Sequence, residues 1–143
     1  MEFKVLVRGI ILSTHPDKIL LYQKKGSSVY HVPGVNVRPG QPTIECLKDY
    51  LKNRFNIDPK ALYFVGVMEH IEITDHVITL FFKIDEFGDN LKLPEGNDVI
   101  YEWKLLPLAQ NVTFEPEYLK EDLSRWLKGK EVFLSTKDKA FSA

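Results

Sequence analysis

Between residues 43 and 55 the hydrophobic period of the chain changes, and that change constrains the fold more than any other feature. Ile44, Leu47, Leu51 and Phe55 recur at i, i+3, i+7 and i+11, the stripe of an amphipathic helix, with Lys48, Lys52 and Asn53 at other angles. The spacing predicts a helix over 43–55, ended by Asn56, Asp58 and Pro59. On both sides the pattern is β-like. Residues 3–12 and 18–23 are rich in Val, Leu and Ile, and Ser13, Thr14, His15, Pro16 and Asp17 between them have turn chemistry, so the pair predicts a hairpin. A short run at Val29, Tyr30, His31 and Val32 is broken by Pro33 and Gly34, and a loop is expected to about Pro42. Residues 63–73 and 77–84 flank Thr74, Asp75 and His76 as a second hairpin. A loop containing Gly88, Pro94 and Gly96 precedes a strand at 99–105. Leu119, Leu123, Trp126 and Leu127, spaced i, i+4, i+7 and i+8, predict a second helix over 116–128, opened by Pro116 and stopped by Gly129. The tail 130–143 carries no comparable period.

Strands, one helix, strands and one helix, with no alternating βαβ series, argue for an α+β domain with a mixed or antiparallel sheet between two helices. The 143 residues fit one domain, 1–143, with 130–143 as its tail. Nineteen Lys and Arg against twenty Asp and Glu give a net charge of -1, so no overall field draws the chain to DNA or an anionic membrane. Any anion site must be local. The longest apolar stretch, 77–82 with Thr79 inside it, is far short of the roughly 20 residues that span a bilayer. The single Cys46 cannot form an internal disulfide and the first residues lack a signal-peptide pattern, so a cytoplasmic location is expected. The sequence has no P-loop, dinucleotide glycine fingerprint, paired CxxC or HExxH. Asn111, Val112 and Thr113 match a glycosylation sequon, which reads as a chance match.

The informative stretch is 32–57. Tyr30 is followed by Val32, Pro33 and Gly34, then by Pro39 and Gly40, the 43–55 helix, and Ile57. In this stretch the chain resembles the Nudix hydrolase family, whose box follows an aromatic residue and Leu-Pro-Gly-Gly and contains a Pro-Gly before its first glutamate. The frame fits without gaps, with Leu51 and Ile57 on its aliphatic positions. Downstream, Val65, Gly66, Val67, Met68, Glu69 and His70, then residues 77–82, look like the two strands after the box. Tyr101, Glu102, Trp103, Lys104, Leu105, Leu106, Pro107 and Leu108 are similar to the family's strand that ends in Trp and a Leu-Pro-Leu. The resemblance covers about residues 3–129 and implies a Nudix-type α/β/α sandwich, a mixed sheet with helices at about 43–55 and 116–128.

The same frame puts Val35 at the box's leading glycine, Gln41 at its first glutamate, Asp49 and Tyr50 at its Arg-Glu, Asn53 and Arg54 at its paired glutamates, and Asn56 at its last glycine. The family's box glutamates gather Mg²⁺ or Mn²⁺ near a diphosphate, and hard cations of this kind need carboxylate oxygens. At about 100° per residue, Cys46, Tyr50, Asn53 and Arg54 share the face where those ligands would sit, and the two acids of the helix, Glu45 and Asp49, are expected away from it. Arg38, Lys48, Lys52 and Arg54 against Glu45 and Asp49 make 33–57 net +2. A cation about 5 Å from a divalent ion at an effective dielectric near 20 costs about 6 kcal/mol, so neither a box-type metal nor a catalytic box residue is expected here.

Arg38 and Arg54 are the candidate phosphate ligands, because a guanidinium fork can replace metal-mediated attraction by bidentate hydrogen bonds. Tyr30 and Tyr50 are candidates for stacking on a base. Cys46 reads as a small buried hydrophobe. Glu69, His70, Glu72, Asp75 and His76 are dense in metal-ligand types, but alternation puts Glu69 on one strand face and His70 with Glu72 on the other. The expectation is a protein that binds a nucleotide or another phosphorylated small molecule without box-type hydrolysis and without a cofactor. The enzyme alternative is a divergent Mg²⁺-dependent hydrolase of a nucleoside diphosphate-linked substrate, with a relocated site at Glu69, Glu72 or Glu102. The interaction alternative is a module that binds a protein partner or a second copy, using the apolar tail residues Val132, Phe133, Leu134 and Phe141.

Overall fold

A computed structural model describes residues 1–14, 17–85, 87–88, 90–96, 98–129 and 134–138. The elements run β1 (Glu2–Thr14), β2 (Asp17–Lys24), β3 (Val29–His31), β4 (Gly34–Asn36), α1 (Thr43–Phe55), β5 (Ala61–Ile71), β6 (Asp75–Asp85), β7 (Val99–Leu105), β8 (Thr113–Phe114), α2 (Leu119–Leu127) and β9 (Leu134–Asp138). The strands form one mixed sheet in the order β8-β3-β2-β1-β6-β5-β9, with β4 added to β1 and β7 to β2. The pairs β1–β6, β3–β8 and β5–β9 are parallel, and the rest are antiparallel. Among the described residues, no helix is long and apolar enough to cross a membrane.

Alternation along the strands sorts the core into two layers. Val7 and Ile11 of β1, Leu20 of β2 and Phe82 and Ile84 of β6 meet Leu47, Leu51 and Phe55 of α1. Their neighbours Ile10, Ile19, Leu21 and Phe81 point through the other face to Leu119, Leu123 and Trp126 of α2. Leu47, Leu51 and Phe55 of the stripe seen in the sequence are therefore the buried face of α1, whereas Ile44 in its first turn is 42% exposed, and the fold is a sheet between two helices.

Both hairpins form, with small shifts. The second turns two residues earlier than the residue pattern suggests, at 72–74, where the Glu72 N–H donates to the Asp75 carbonyl at 2.7 Å. The second helix begins at Leu119 and not at Pro116, because Leu119 and Lys120 N–H donate to the Pro116 and Glu117 carbonyls, a tight i→i+3 turn. The expected loop after His31 contains β4, and β8 and β9 add strands that no pattern announced. The turn residues His15 and Pro16 lie outside the described residues, as do Val132, Phe133 and Phe141 of the tail; Leu134 opens β9.

Two backbone positions hold the layers in place. Asn56 ends α1 in the left-handed region (φ 56°), with its N–H on the Lys52 carbonyl and the Ile57 N–H on the Leu51 carbonyl, which ties off the last turn. Its side-chain amide donates to the Asn90 carbonyl at 3.2 Å. Gly66 sits under the Trp126 ring so closely that a Cβ there would overlap Cε2 and Nε1 of the indole.

Replacing Gly66 by Ala must therefore displace the buried indole, and the expected loss is about 1–3 kcal/mol in denaturant unfolding. Asn56→Gly should leave stability nearly unchanged, whereas Asn56→Val should lose about 1–2 kcal/mol for the left-handed backbone alone. Equal midpoints for the two Asn56 variants would contradict the cap.

Candidate functional site

Because α1 buries Leu47, Leu51 and Phe55, its geometry turns Cys46, Tyr50, Asn53 and Arg54 toward a cleft. The opposite wall comes from β4 and the loop after it, through Val35, Asn36 and Arg38, and the cavity between measures about 380 Å³. The loop is stapled to the helix by Gln41. Arg38 Nε and Nη2 donate to Gln41 Oε1 at 2.9 and 2.6 Å, the Cys46 thiol donates to the same oxygen at 2.8 Å, and Gln41 Nε2 donates to Asp49 Oδ2 at 3.0 Å. Asp49 thus lines the cleft, which corrects the expectation that both helix acids face away. The helical angle holds, but the loop folds over the helix far enough to meet the carboxylate.

Arg54 is exposed, and its Nε donates to the Tyr101 hydroxyl at 3.5 Å, the limit of a hydrogen bond. Tyr101 belongs to a run of rings. His31 stacks on Tyr22 at 5.1 Å between centroids, Tyr22 meets Tyr101 at 5.6 Å, Tyr101 meets Phe55 at 5.3 Å, and Phe55 meets Tyr50 at 5.7 Å. Burial, with the neighbouring phenol of Tyr101, pushes the Tyr50 hydroxyl well above its ordinary value, so it stays a donor at any physiological pH.

A second cavity of about 270 Å³ opens on the α2 face of the sheet. Its walls are Lys4, Leu6 and Arg8 of β1, Met68 and His70 of β5, Val77 and Thr79 of β6, and His31 and Glu115 from the far side. Asn36 lines both cavities, so they adjoin at β4. They meet where β1 changes partner, from β4 at residues 6–8 to β2 at 12–14. The Arg8 guanidinium donates to the Val32 carbonyl across this gap. Burial and then the Arg8 charge lower the pKa of His31 from its usual 6.5, so the ring is mostly neutral at pH 7. Period-two alternation in β1 was the signal for Lys4, Leu6 and Arg8, since it puts all three on one face.

The structure brings Arg38, Tyr50 and Arg54 together and leaves Tyr30 elsewhere. Tyr30 is 9% exposed in the α2-side core; its hydroxyl donates to Glu102 at 3.4 Å, and Lys104 Nζ lies 4.9 Å from its ring centre. Cys46 is 4% exposed. Glu69 pairs with His76 at 2.9 Å, His70 with Glu72 at 2.7 Å and Glu102 with Lys104 at 2.8 Å, and neither Glu69 nor Glu102 lines either cavity. Among the described residues no three His, Cys, Asp or Glu side chains gather as a metal site would require. A larger groove of about 850 Å³ between α2 and residues 106–108 is walled by Leu106, Leu108, Leu123 and Leu127. Asp17, Glu117 and Glu121 outweigh Lys120 and Lys128 around it, which opposes an anion there.

No protein-family model and no curated protein matches the sequence. Solved structures do match. A MutT Nudix hydrolase from Burkholderia pseudomallei superposes with a TM-score of 0.69 at 18% identity, over 86% of this chain and 99% of that one. A MutT protein from Bacillus halodurans gives 0.70 at 18% identity, over 97% and 93%. The Nudix domain of Shewanella oneidensis NrtR, in complex with ADP ribose, gives 0.62 at 15% identity, over 89% of each chain. A mixed sheet between two helices is the architecture these superpositions share, and the chain is a Nudix-fold protein.

Proposed function

We propose that the protein binds a nucleotide or another phosphorylated small molecule in the two adjoining cavities, without a divalent ion held by α1 and without box-type hydrolysis. The observation that carries this reading is the cleft face of α1, which presents Tyr50, Asn53 and Arg54 beside Arg38, with Asp49 as its one carboxylate, already tied to Gln41 and Arg38, where a metal-binding helix would present several carboxylates. Guanidinium and amide groups donate hydrogen bonds to phosphate oxygens directly, each charge-assisted bond contributing about 1.5–3 kcal/mol. The second cavity adds Arg8, with Glu115 opposite, and Lys4, whose ammonium lies 3.7 Å from Asp75 and 3.9 Å from Glu2, so its donors suit a ligand with acceptor atoms more than they supply net positive charge. The Nudix domain that superposes while holding ADP ribose supports a ligand of this kind in such a fold. Glu69, Glu72 and Glu102 are engaged by His76, His70 and Lys104, and the hydrolase alternative would have to release them.

Thermal unfolding against nucleotides, ADP ribose and nucleoside diphosphate sugars, each with Mg²⁺ and with a chelator, tests the reading. A ligand at 100 times its Kd adds about 2.7 kcal/mol, a rise of several degrees for a chain this size. A rise that survives the chelator and that Arg54→Ala weakens by about 1.5–3 kcal/mol is the expected result. A rise that requires Mg²⁺ would replace it by the hydrolase reading, with Glu69→Gln and Glu102→Gln as the variants that should stop turnover. No rise with any ligand would overturn it.

A further inference from the structure

Strand β7 forms one edge of the sheet. It pairs with β2 over seven consecutive residues without a bulge, and among the described residues it has no second strand neighbour. The Lys25 N–H donates to the Asp98 carbonyl and the Leu106 N–H to the Asp17 carbonyl, just beyond the two ends of the ladder. In an antiparallel ladder these bonds recur at every second residue, so residues 100, 102 and 104 bond to β2. The N–H and C=O groups of Val99, Tyr101, Trp103 and Leu105 then point away from it.

Natural edges are usually short, bent by a bulge, interrupted by proline or guarded by charged side chains, lysine above all. This one has no bulge or proline, its guard is a single pair of opposite charges, and Ile100 and Leu105 on it are 50% and 59% exposed. Its charges are Glu102 and Lys104, on one face, with 2.8 Å between carboxylate and ammonium.

We propose that β7 is a homodimerisation edge, on which two copies pair antiparallel about a two-fold axis through Trp103. The outward groups belong to odd-numbered residues, so a hydrogen-bonded self-pair must set odd against odd. Centring the pair on Glu102 satisfies that rule but puts Glu102 opposite Glu102, and like charges directly opposite are destabilising. Centring it on Tyr101 leaves Glu102 opposite Ile100. Centring it on Trp103 sets Glu102 of each copy opposite Lys104 of the other, twice, and Tyr101 opposite Leu105. The strand is thus self-complementary in charge in that register, which favours a second copy of this chain over an unrelated strand.

The test is sedimentation equilibrium of the full chain. The wild type should approach twice the 16.6 kDa chain mass as concentration rises. Glu102→Lys alone and Lys104→Glu alone should each sediment as monomers at the concentration where the wild type is dimeric. An equimolar mixture of the two variants should dimerise again, since the ammonium introduced in one copy then faces the carboxylate introduced in the other. Each chain of that mixture keeps its own internal pair broken, so recovery reports the contact between copies and not repair within one. A wild type that stays at the monomer mass, single variants that stay dimeric, or a mixture that stays monomeric while each variant keeps its thermal midpoint would overturn the proposal. Should a variant fail to fold, amide exchange on the wild type decides. The Tyr101, Trp103 and Leu105 amides should exchange more slowly at high than at low protein concentration, and no concentration dependence would overturn the proposal as well.

Discussion

The structure depends on the parallel pairing of β1 with β6, ten successive residue partners from Glu2 with Asp75 to Ile11 with Ile84. Parallel strands cannot be joined by a tight turn, so the chain between them has to travel, and α1 is the helix that this crossover lays against the sheet. Once the ladder is in register, Phe81 and Phe82 of β6 must face opposite sides, and so must Ile10 and Ile11 of β1. One face then receives α1 and the other α2. A slip of one residue would exchange the two faces along a whole strand, so burial on both sides fixes the register.

The same ladder places the site. Lys4, Leu6 and Arg8 alternate with the α1-side residues, and with Val77 and Thr79 they face the α2 side. Beyond the second cavity β1 exchanges β4 for β2, and the strand pairing opens there. An opening between strands leaves backbone polar groups that need partners. Here the Pro33 carbonyl accepts from the Gly9 N–H, the Val5 carbonyl accepts from the Val37 N–H, and the Val32 carbonyl accepts from Arg8. Antiparallel pairing holds β4 tightly beside β1: a Cβ on Gly34 would lie 2.5 Å from the Val7 carbonyl oxygen. Asn36, paired with Leu6 at the end of that short ladder, lines both cavities.

What was legible in the sequence was whatever had a period long enough to show. The α1 stripe gives 43–55 and the run at 99–105 gives β7, both as the structure has them. Strands of two or three residues, β3, β4 and β8, are shorter than one clear alternation, and what holds them is pairing with distant strands. Tyr30 illustrates the limit for the site. An aromatic on a three-residue strand faces the core or the cleft depending on which neighbour that strand pairs with, and pairing with β2 and β8 turns Tyr30 into the α2-side core. Arg54 and Tyr50 lie on a full helix whose buried stripe is unambiguous, so their direction was readable. Asp49 escapes for a different reason, since a helical wheel describes the helix and not the loop that Gln41 folds across it.

That loop also decides which charge is available to a ligand. Arg38 gives two hydrogen bonds to Gln41 Oε1 and lies 3.9 Å from Asp49, so its guanidinium is already held and partly offset. Both groups of that ion pair are mostly exposed, and a pair of that kind stabilises little, so its effect is on orientation more than on energy. Arg54 rests instead against a phenol, which orients the guanidinium without cancelling its charge. Burial keeps the Tyr50 hydroxyl protonated, and Asn53 adds an amide on the same helix face. Among the described residues, the end of the cleft at Arg54 therefore presents a cation with no ion-pair partner beside neutral donors, while the end at Gln41 is balanced. On the proposed reading an anion in the cleft would be drawn to Arg54, with the Gln41 network as the opposite wall.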